Sequence, residues 1–455
     1  SAILGRLILE ETPMRQSMLA LVFVSLLAHP SVASETPQAE SYWPQWRGPL
    51  ANGVAPRADP PVHWSESENV AWKTEIPGKG SASPIVWGDL VFVQTAVPTG
   101  KADAPGSSSD AAGARGPGGV QPTQAQQFTL MAIRRGDGGV VWSKVLREAV
   151  PHEGTHMTAS WASNSPVTDG EHLFAYFGSQ GLYCLDMDGN QIWAKDLGDM
   201  RTRRAFGEGS SPALSGDTLL INWDHEGDSF IVALDKRTGD ELWRRDRDEV
   251  TSWSTPLIVE HAGRRQAIVS ATDRVRGYDL ATGDVLWEVG GMTVNVIPSP
   301  VHIDGLAIVT SGFRGNALLA IRLAGAKGDL TGTDAIVWSL DRDTPYTPSP
   351  LLYGDQLYFT KTNDGILSSY NAKTGERYFG PVRLDKVPNI YASPVGAADR
   401  VYIAGRDGAT LVLEHGTSFE VLAVNELDDG FDASPAMVDR EIYLRGKRFL
   451  YRISE

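Results

Sequence analysis

The chain has 455 residues, including 47 glycines, 27 prolines and 13 tryptophans, and 42% of it is hydrophobic. That composition supports a large core of short strands and tight turns and excludes wholesale disorder. A formal charge of -15 excludes a general binder of nucleic acid or anionic membrane, and a lone cysteine, Cys184, excludes an intramolecular disulfide and any multi-cysteine metal site.

The N-terminal stretch reads as an export signal. Met14 and Arg15 precede the apolar run LALVFVSLLA at 19–28, and Ser31-Val32-Ala33 sets small residues at a cleavage site. The run is too short to span a bilayer, and no cysteine follows it to carry a lipid anchor. Residues 1–33 are therefore expected to be an upstream segment and signal peptide, and the mature chain to be soluble and periplasmic or extracellular. Residues 34–69 form a leader to the repeats.

Every Ser-Pro pair falls on one ladder, with prolines at 84, 166, 212, 300, 350, 394 and 435, and Thr255-Pro256 fills the remaining rung. The spacings of 82, 46, 44, 44, 50, 44 and 41 residues centre on the length of a four-stranded propeller blade. After each proline come an apolar strand, a turn and a second strand, as in PLLYGDQLYFT at 350–360. A third strand and turn lead to a fourth strand with an aromatic: Trp72, Trp142, Trp193, Trp243, Trp287, Trp338, then Tyr378, with a degraded copy near Val421. The long first step holds a Gly/Ala/Pro/Ser-rich insertion at 98–125, expected to be a disordered loop.

The spacing thus predicts an all-β fold, an eight-bladed β-propeller of four-stranded antiparallel blades over 70–455. Only three strands follow Pro435, and the strand around Trp72 precedes the first rung. The N-terminal strand is expected to close the last blade.

The repeats ALDKRTGDELW at 233–243 and YDLATGDVLW at 278–287 resemble the tryptophan-docking repeat of quinoprotein alcohol dehydrogenases, shared with BamB-type and other exported pyrroloquinoline-quinone-like propellers. The leader segment YWPQWRGP at 42–49 is similar to that of uncharacterised exported members. The resemblance implies the fold over nearly the whole mature chain, and that fold hosts enzymes and scaffolds alike. Two departures stand out. The vicinal disulfide that the dehydrogenases place against their cofactor needs two cysteines, and the lipid-bearing cysteine of BamB-type proteins is missing.

In a propeller, the loops entering each blade share a face with the loops between second and third strands, around the axial funnel. Residues in those loops are the candidate ligand contacts: His152, Glu153, His156, Trp161, Asn164, Arg203, Glu208, Trp253, Tyr346, Tyr391 and Asp432. Arg274, Arg276, Arg314, Lys361, Arg406 and Lys447 occupy successive second-to-third-strand loops, and would make the funnel mouth basic if they faced it. Of these, Arg274 and Arg314 are also candidate ligand contacts.

His152-Glu153-Gly154-Thr155-His156 matches the zinc-hydrolase pattern, which works only on a helix. Pro151 and Gly154 argue for a loop instead, and no metal site is assigned. Asp224-His225-Glu226-Gly227-Asp228 reads as a cation loop or a solvated turn. Cys184 is expected to be a buried core thiol.

The expected role is a binding or scaffold module, without a cofactor, that takes a protein or glycan partner at its axial face and acts as a monomer. Two enzymatic alternatives stand beside it: a quinoprotein-like dehydrogenase using pyrroloquinoline quinone and calcium, and a metal-assisted hydrolase at His152, Glu153 and His156.

Overall fold

The computed structural model describes residues 39–102 and 119–455. The expected signal peptide, and the middle of the 98–125 insertion, lie outside the described residues. Among the described residues no helix is long and apolar enough to cross a membrane.

Eight four-stranded antiparallel blades follow one another around an axis. Blade one is formed by Ile85–Trp87, Leu90–Ala102, Gln124–Arg134 and Val140–Ala149, and blade three by Ala213–Ser215, Thr218–Trp223, Ser229–Asp235 and Glu241–Arg247. Blade eight takes its first three strands from Ala436–Val438, Glu441–Arg445 and Phe449–Ser454, and its fourth from Val70–Glu75, which pairs antiparallel with Phe449–Ile453. The ring is closed by joining the two ends of the propeller, which removes both free edges.

The ends of the 98–125 insertion are not disordered. Val97 and Pro98 face Gln127 and Gln126, and Ala102 pairs with Gln124, so the long hairpin of blade one continues into both flanks. Extended, ladder-bonded backbone suits the polar run QAQQ at 124–127 despite its low apolar content.

The core is radial. Its clusters lie between successive blades, as where Phe92, Phe128 and Leu130 of blade one meet Leu173, Phe177 and Leu185 of blade two. In every blade the pairing of third and fourth strands slips by one residue before the aromatic position: Ala233 faces Trp243 while Leu234 faces Glu241, leaving Leu242 as the bulge. The bulge turns an apolar side chain outward, which is why Leu242 is 53% exposed beside buried Trp243. It also corrects the sixth repeat, where Tyr378 is the bulge and Phe379 occupies the tryptophan register opposite Ser369.

The tryptophans lean on the next blade. The indole N–H groups of Trp142, Trp193, Trp243 and Trp338 donate to backbone carbonyls there at 2.9–3.2 Å. Trp193 and Trp243 lie over the glycines of the following Thr-Gly turns. Gly239 and Gly283 both have φ +75, and a Cβ there would come within 2.9 and 2.5 Å of the ring, so backbone conformation and contact both demand glycine.

Trp287 departs from this pattern. Blade five lacks the Thr-Gly turn, and Trp287 instead bonds Gln266 of its own blade at 2.8 Å. An extension of blade five supplies Gly328–Asp329, which pairs parallel with Trp287 and Glu288 as a fifth strand on blade four. Trp72 is only half-buried rather than enclosed, because the outer face of its strand is open to solvent, although its indole reaches Arg135 O at 2.8 Å.

The Ser-Pro rungs form a closed ring of hydrogen bonds. The Ser83 amide donates to Ser165 Oγ, Ser165 to Ser211, Ser211 to Thr255, Thr255 to Ser299, Ser299 to Ser349, Ser349 to Ser393, Ser393 to Ser434, and Ser434 back to Ser83, all at 2.9–3.0 Å. Proline follows each rung because it sets the extended entry of the innermost strand while the preceding hydroxyl satisfies a neighbouring buried amide.

The leader crosses the opposite end of the axis. Trp43 pairs with Val86 of blade one, and Val54 and Ala55 with Gly396 of blade seven. Between them, the Arg47 guanidinium donates to Pro394 O at 2.9 Å and Pro350 O at 2.8 Å, directly beneath two rungs of the ring. Trp43 and Trp64 are 1% and 3% exposed, so the leader is part of the core.

Candidate functional site

The axial funnel holds a cavity of about 390 Å³. Its inner end carries Trp46, delivered by the leader, and the hydroxyls of Ser83, Ser165, Ser211, Ser393 and Ser434 from the ring. Its walls come from the blade-entry loops. The 150–166 loop supplies His156 and Thr158, the next supplies Phe206 and Glu208, and the loops after it Trp253, Tyr346, Tyr391 and Asp432. Phe313 adds one side chain from a second-to-third-strand loop.

The wall is ordered by specific contacts. Phe313 stacks on Tyr346 with ring centroids 4.8 Å apart, and His156 meets Phe206 edge-on at 5.0 Å. The Trp253 indole donates to Gly207 O at 2.7 Å. His156 Nδ1 and Thr158 Oγ1 are 2.7 Å apart, and Thr158 Oγ1 donates to the Tyr391 hydroxyl at 3.3 Å, which ties the long 150–166 loop to the far side of the ring. Burial, and secondarily Arg406, lower the His156 pKa, so its imidazole is neutral at pH 7. Arg406 lies over the Tyr391 ring at 4.0 Å and pairs with Asp432.

Glu208 is the unusual acid of the site. Its two oxygens accept from Ser179 N at 2.7 Å and Ser179 Oγ at 2.6 Å. Gly178, at φ +57, leaves no side chain where the carboxylate sits. Burial outweighs those hydrogen bonds and pushes the Glu208 pKa up to about 7.

Of the residues singled out from sequence, the structure brings His156, Glu208, Trp253, Tyr346, Tyr391 and Asp432 together on this cavity. His152, Glu153 and Trp161 sit behind its wall: His152 Nε2 is 2.6 Å from Met200 O, the Glu153 carboxylate takes the Thr202 amide at 3.0 Å, and Trp161 donates to Glu153 O. The zinc-hydrolase pattern therefore lies on no helix. Thr155–His156 is a short strand paired with Gly119–Val120, and the two histidines serve different neighbours. Asn164 bonds Ser210 O at 2.7 Å as part of the blade-to-blade framework. Arg203 contributes its amide to Thr251 and does not line the cavity.

Four of the six cations expected at the mouth are paired with carboxylates. Arg274 pairs with Asp329 at 2.9 Å, Arg276 with Glu249, Lys361 with Asp343 and Arg406 with Asp432. Arg314 is exposed and lies 5.4 Å over the ring of its chain neighbour Phe313, on the wall. Arg274, Arg276, Lys361 and Arg406 are thus each paired with a carboxylate from another loop, while Lys447 Nζ donates to Arg406 O at 3.5 Å. The 224–228 cluster is likewise engaged: Asp224 and Arg247 form an ion pair with both side chains fully buried, and His225 Nδ1 accepts the Arg201 amide.

Sequence reasoning missed Trp46, Phe206 and Phe313, and read the rung serines as register marks rather than as cavity hydroxyls. The doubled aromatic in WPQW at 43–46 was the available signal for the first.

Pyrroloquinoline quinone, a tricarboxylate, does not fit this lining. No lysine or arginine lines the cavity among the described residues, and two carboxylic side chains do. Among the described residues there is also no group of three or more histidine, cysteine, aspartate or glutamate side chains placed to hold a metal. Cys184 is buried in blade two, and its thiol is pushed up to about 12 by burial.

The chain is 24% identical over 211 residues to the outer membrane protein assembly factor BamB of Francisella salina. That match covers 42% of this chain and 38% of the relative's length. In structure it is similar to BamB from Moraxella catarrhalis, at TM-score 0.52 and 14% identity, over 75% of this chain and 95% of that one. It is also similar to a europium-containing methanol dehydrogenase, at TM-score 0.60 and 10% identity, over 89% and 90% of the two chains. At such identities the structural likeness speaks for the fold. The family model described as outer membrane protein assembly factor BamB matches residues 126–380 and 227–453, and with the closed eight-bladed ring this chain belongs to that family.

Proposed function

We propose that this protein is an exported binding module whose axial face captures a protein or glycan partner, with the cavity receiving the recognised group. One observation carries the reading. The funnel holds an aromatic-walled cavity to which the leader contributes Trp46. A leader packed through Trp43, Arg47 and Trp64 holds that residue in place. A rigid pocket with a few convergent polar groups is the usual form of a recognition site. The signal-like run at 19–28 supports export, and the family membership supports a scaffold role.

Thermal-shift screening of residues 34–455 against a chemically diverse library of sugars, amines, carboxylates and quinones tests the reading. The expected result is a saturable rise in melting temperature for at least one class. A ligand at 100 times its Kd contributes about 2.7 kcal/mol. The rise is expected to disappear in Trp253→Ala and in Tyr346→Ala. A rise that survives both substitutions assigns binding elsewhere and overturns the axial reading.

A further inference from the structure

Three chemistries meet on the cavity surface. The first is a collar of hydroxyls at its inner end. Each ring oxygen already accepts an amide from the neighbouring blade, which leaves its own proton to be donated to a second partner. Five such hydroxyls border the cavity. The second is a set of flat aromatic faces, with Trp46 at the inner end and Trp253 and the stacked Phe313–Tyr346 pair on the wall. The third is a pair of carboxylic side chains, Glu208 and Asp432, with no lysine or arginine on the lining among the described residues.

These features select among ligands. Anions find hydroxyl donors but no free cation, because Arg406 at the wall is already paired with Asp432, and Glu208 adds a second acid. Organic ammonium ions suit the rings and the acids but leave the donor collar without acceptors. A pyranose offers C–H faces to aromatic rings, oxygen acceptors to the collar and O–H donors to the carboxylic oxygens, so of these three classes it alone satisfies every feature. The volume of about 390 Å³ lies at the small end of ordinary ligand sites and suits one or two sugar rings.

From this we infer that the cavity binds the end of a neutral saccharide, with its ring between Trp253 and the Phe313–Tyr346 stack and its hydroxyls on the serine collar and Glu208. The inference rests on the axial-binding reading above and narrows it to one ligand class.

The test is an array of neutral, acidic and cationic glycans probed with the full mature chain, followed by calorimetric titration with the best binders. Choline and sulfate serve as charged small-molecule comparators in the titrations. Neutral glycans are expected to bind saturably and to quench tryptophan fluorescence. Trp253→Ala is expected to weaken binding roughly tenfold to thirtyfold, the range of a central aromatic anchor. Glu208→Gln retains the side-chain volume and serves as a second variant, with weaker binding and an unchanged circular dichroism spectrum expected. Binding of choline, sulfate or acidic glycans without neutral ones overturns the saccharide assignment and leaves the axial-binding reading standing. Silence across the array and the comparators, together with a failed library screen, overturns both.

Discussion

Replacing one serine of the ring probes what the Ser-Pro ladder does. Ser299 Oγ accepts the Thr255 amide at 3.0 Å, and Ser299 is 6% exposed. In Ser299→Ala that amide stays buried and loses its acceptor, which costs about 1–3 kcal/mol. Unfolding roughly 400 ordered residues at about 2.1 cal/mol/K each near 60 °C gives an entropy of about 0.8 kcal/mol/K, so the melting temperature falls by about 1–4 °C. Ser299→Thr is the control, because Thr255 shows that a threonine hydroxyl fits a rung, and it is expected to melt within 1 °C or so of the parent. Alanine at Ser83 and Ser299 together, on opposite sides of the ring, is expected to add within about 0.5 kcal/mol. The assay is differential scanning calorimetry. If Ser299→Ala, Ser299→Thr and the parent melt together, the ring bonds contribute nothing and the rungs are register marks alone.

Two further outcomes follow from particular contacts. Trp72→Ala removes a half-buried indole that reaches Arg135 O and packs over Gly138, so the closure of blade eight is expected to weaken by about 2–4 kcal/mol. Fully buried Trp43→Ala, in the leader, is expected to lose about 3–5 kcal/mol, and urea titration that ranks the two in the reverse order would contradict the closure geometry. Glu208 gives a pH signature. With a pKa of about 7 in the fold, against the ordinary carboxylate value when unfolded, the native state holds a proton that the unfolded chain has released between about pH 4.5 and 7. Its contribution to stability is therefore fully present below pH 4.5 and lost as pH rises through 7, on the order of 3 kcal/mol. Glu208→Gln is expected to flatten that part of the stability profile and to raise stability at pH 8, and an unchanged profile would remove the shifted acid.

The leader gives the cavity a dependence on sequence far from its walls. Trp46 is held on the cavity in part by Arg47, one residue on, which is fixed to Pro350 and Pro394 O. Burial without a carboxylate pushes that guanidinium down to about 9, so it still carries its charge at neutral pH. The charge is stabilised by the carbonyls it caps, a role that lysine, lacking the planar fork, does not reproduce.

The repeat architecture was legible in the chain because it is written locally. Each blade carries its own rung, hairpin turn and aromatic at a fixed spacing, so eight blades and a displaced closing strand could be read without knowing any contact. The bulge before each tryptophan was not legible, since a one-residue slip leaves the composition unchanged, and it moved the sixth aromatic from Tyr378 to Phe379. The candidate site divides along the same line. Loops that enter the blades were known to share a face, and this placed Trp253, Tyr346 and Tyr391. Whether Arg274 or Arg276 faces the axis depends on Asp329 and Glu249, which arrive from other loops. Trp46 and the serine collar depend on contacts between residues some 300 positions apart, for which no local pattern exists. Sequence periodicity settled the ring because short-range hydrophobic order repeats; only the tertiary structure decided what lines its centre, because eight separate loops and a leader converge there through long-range packing.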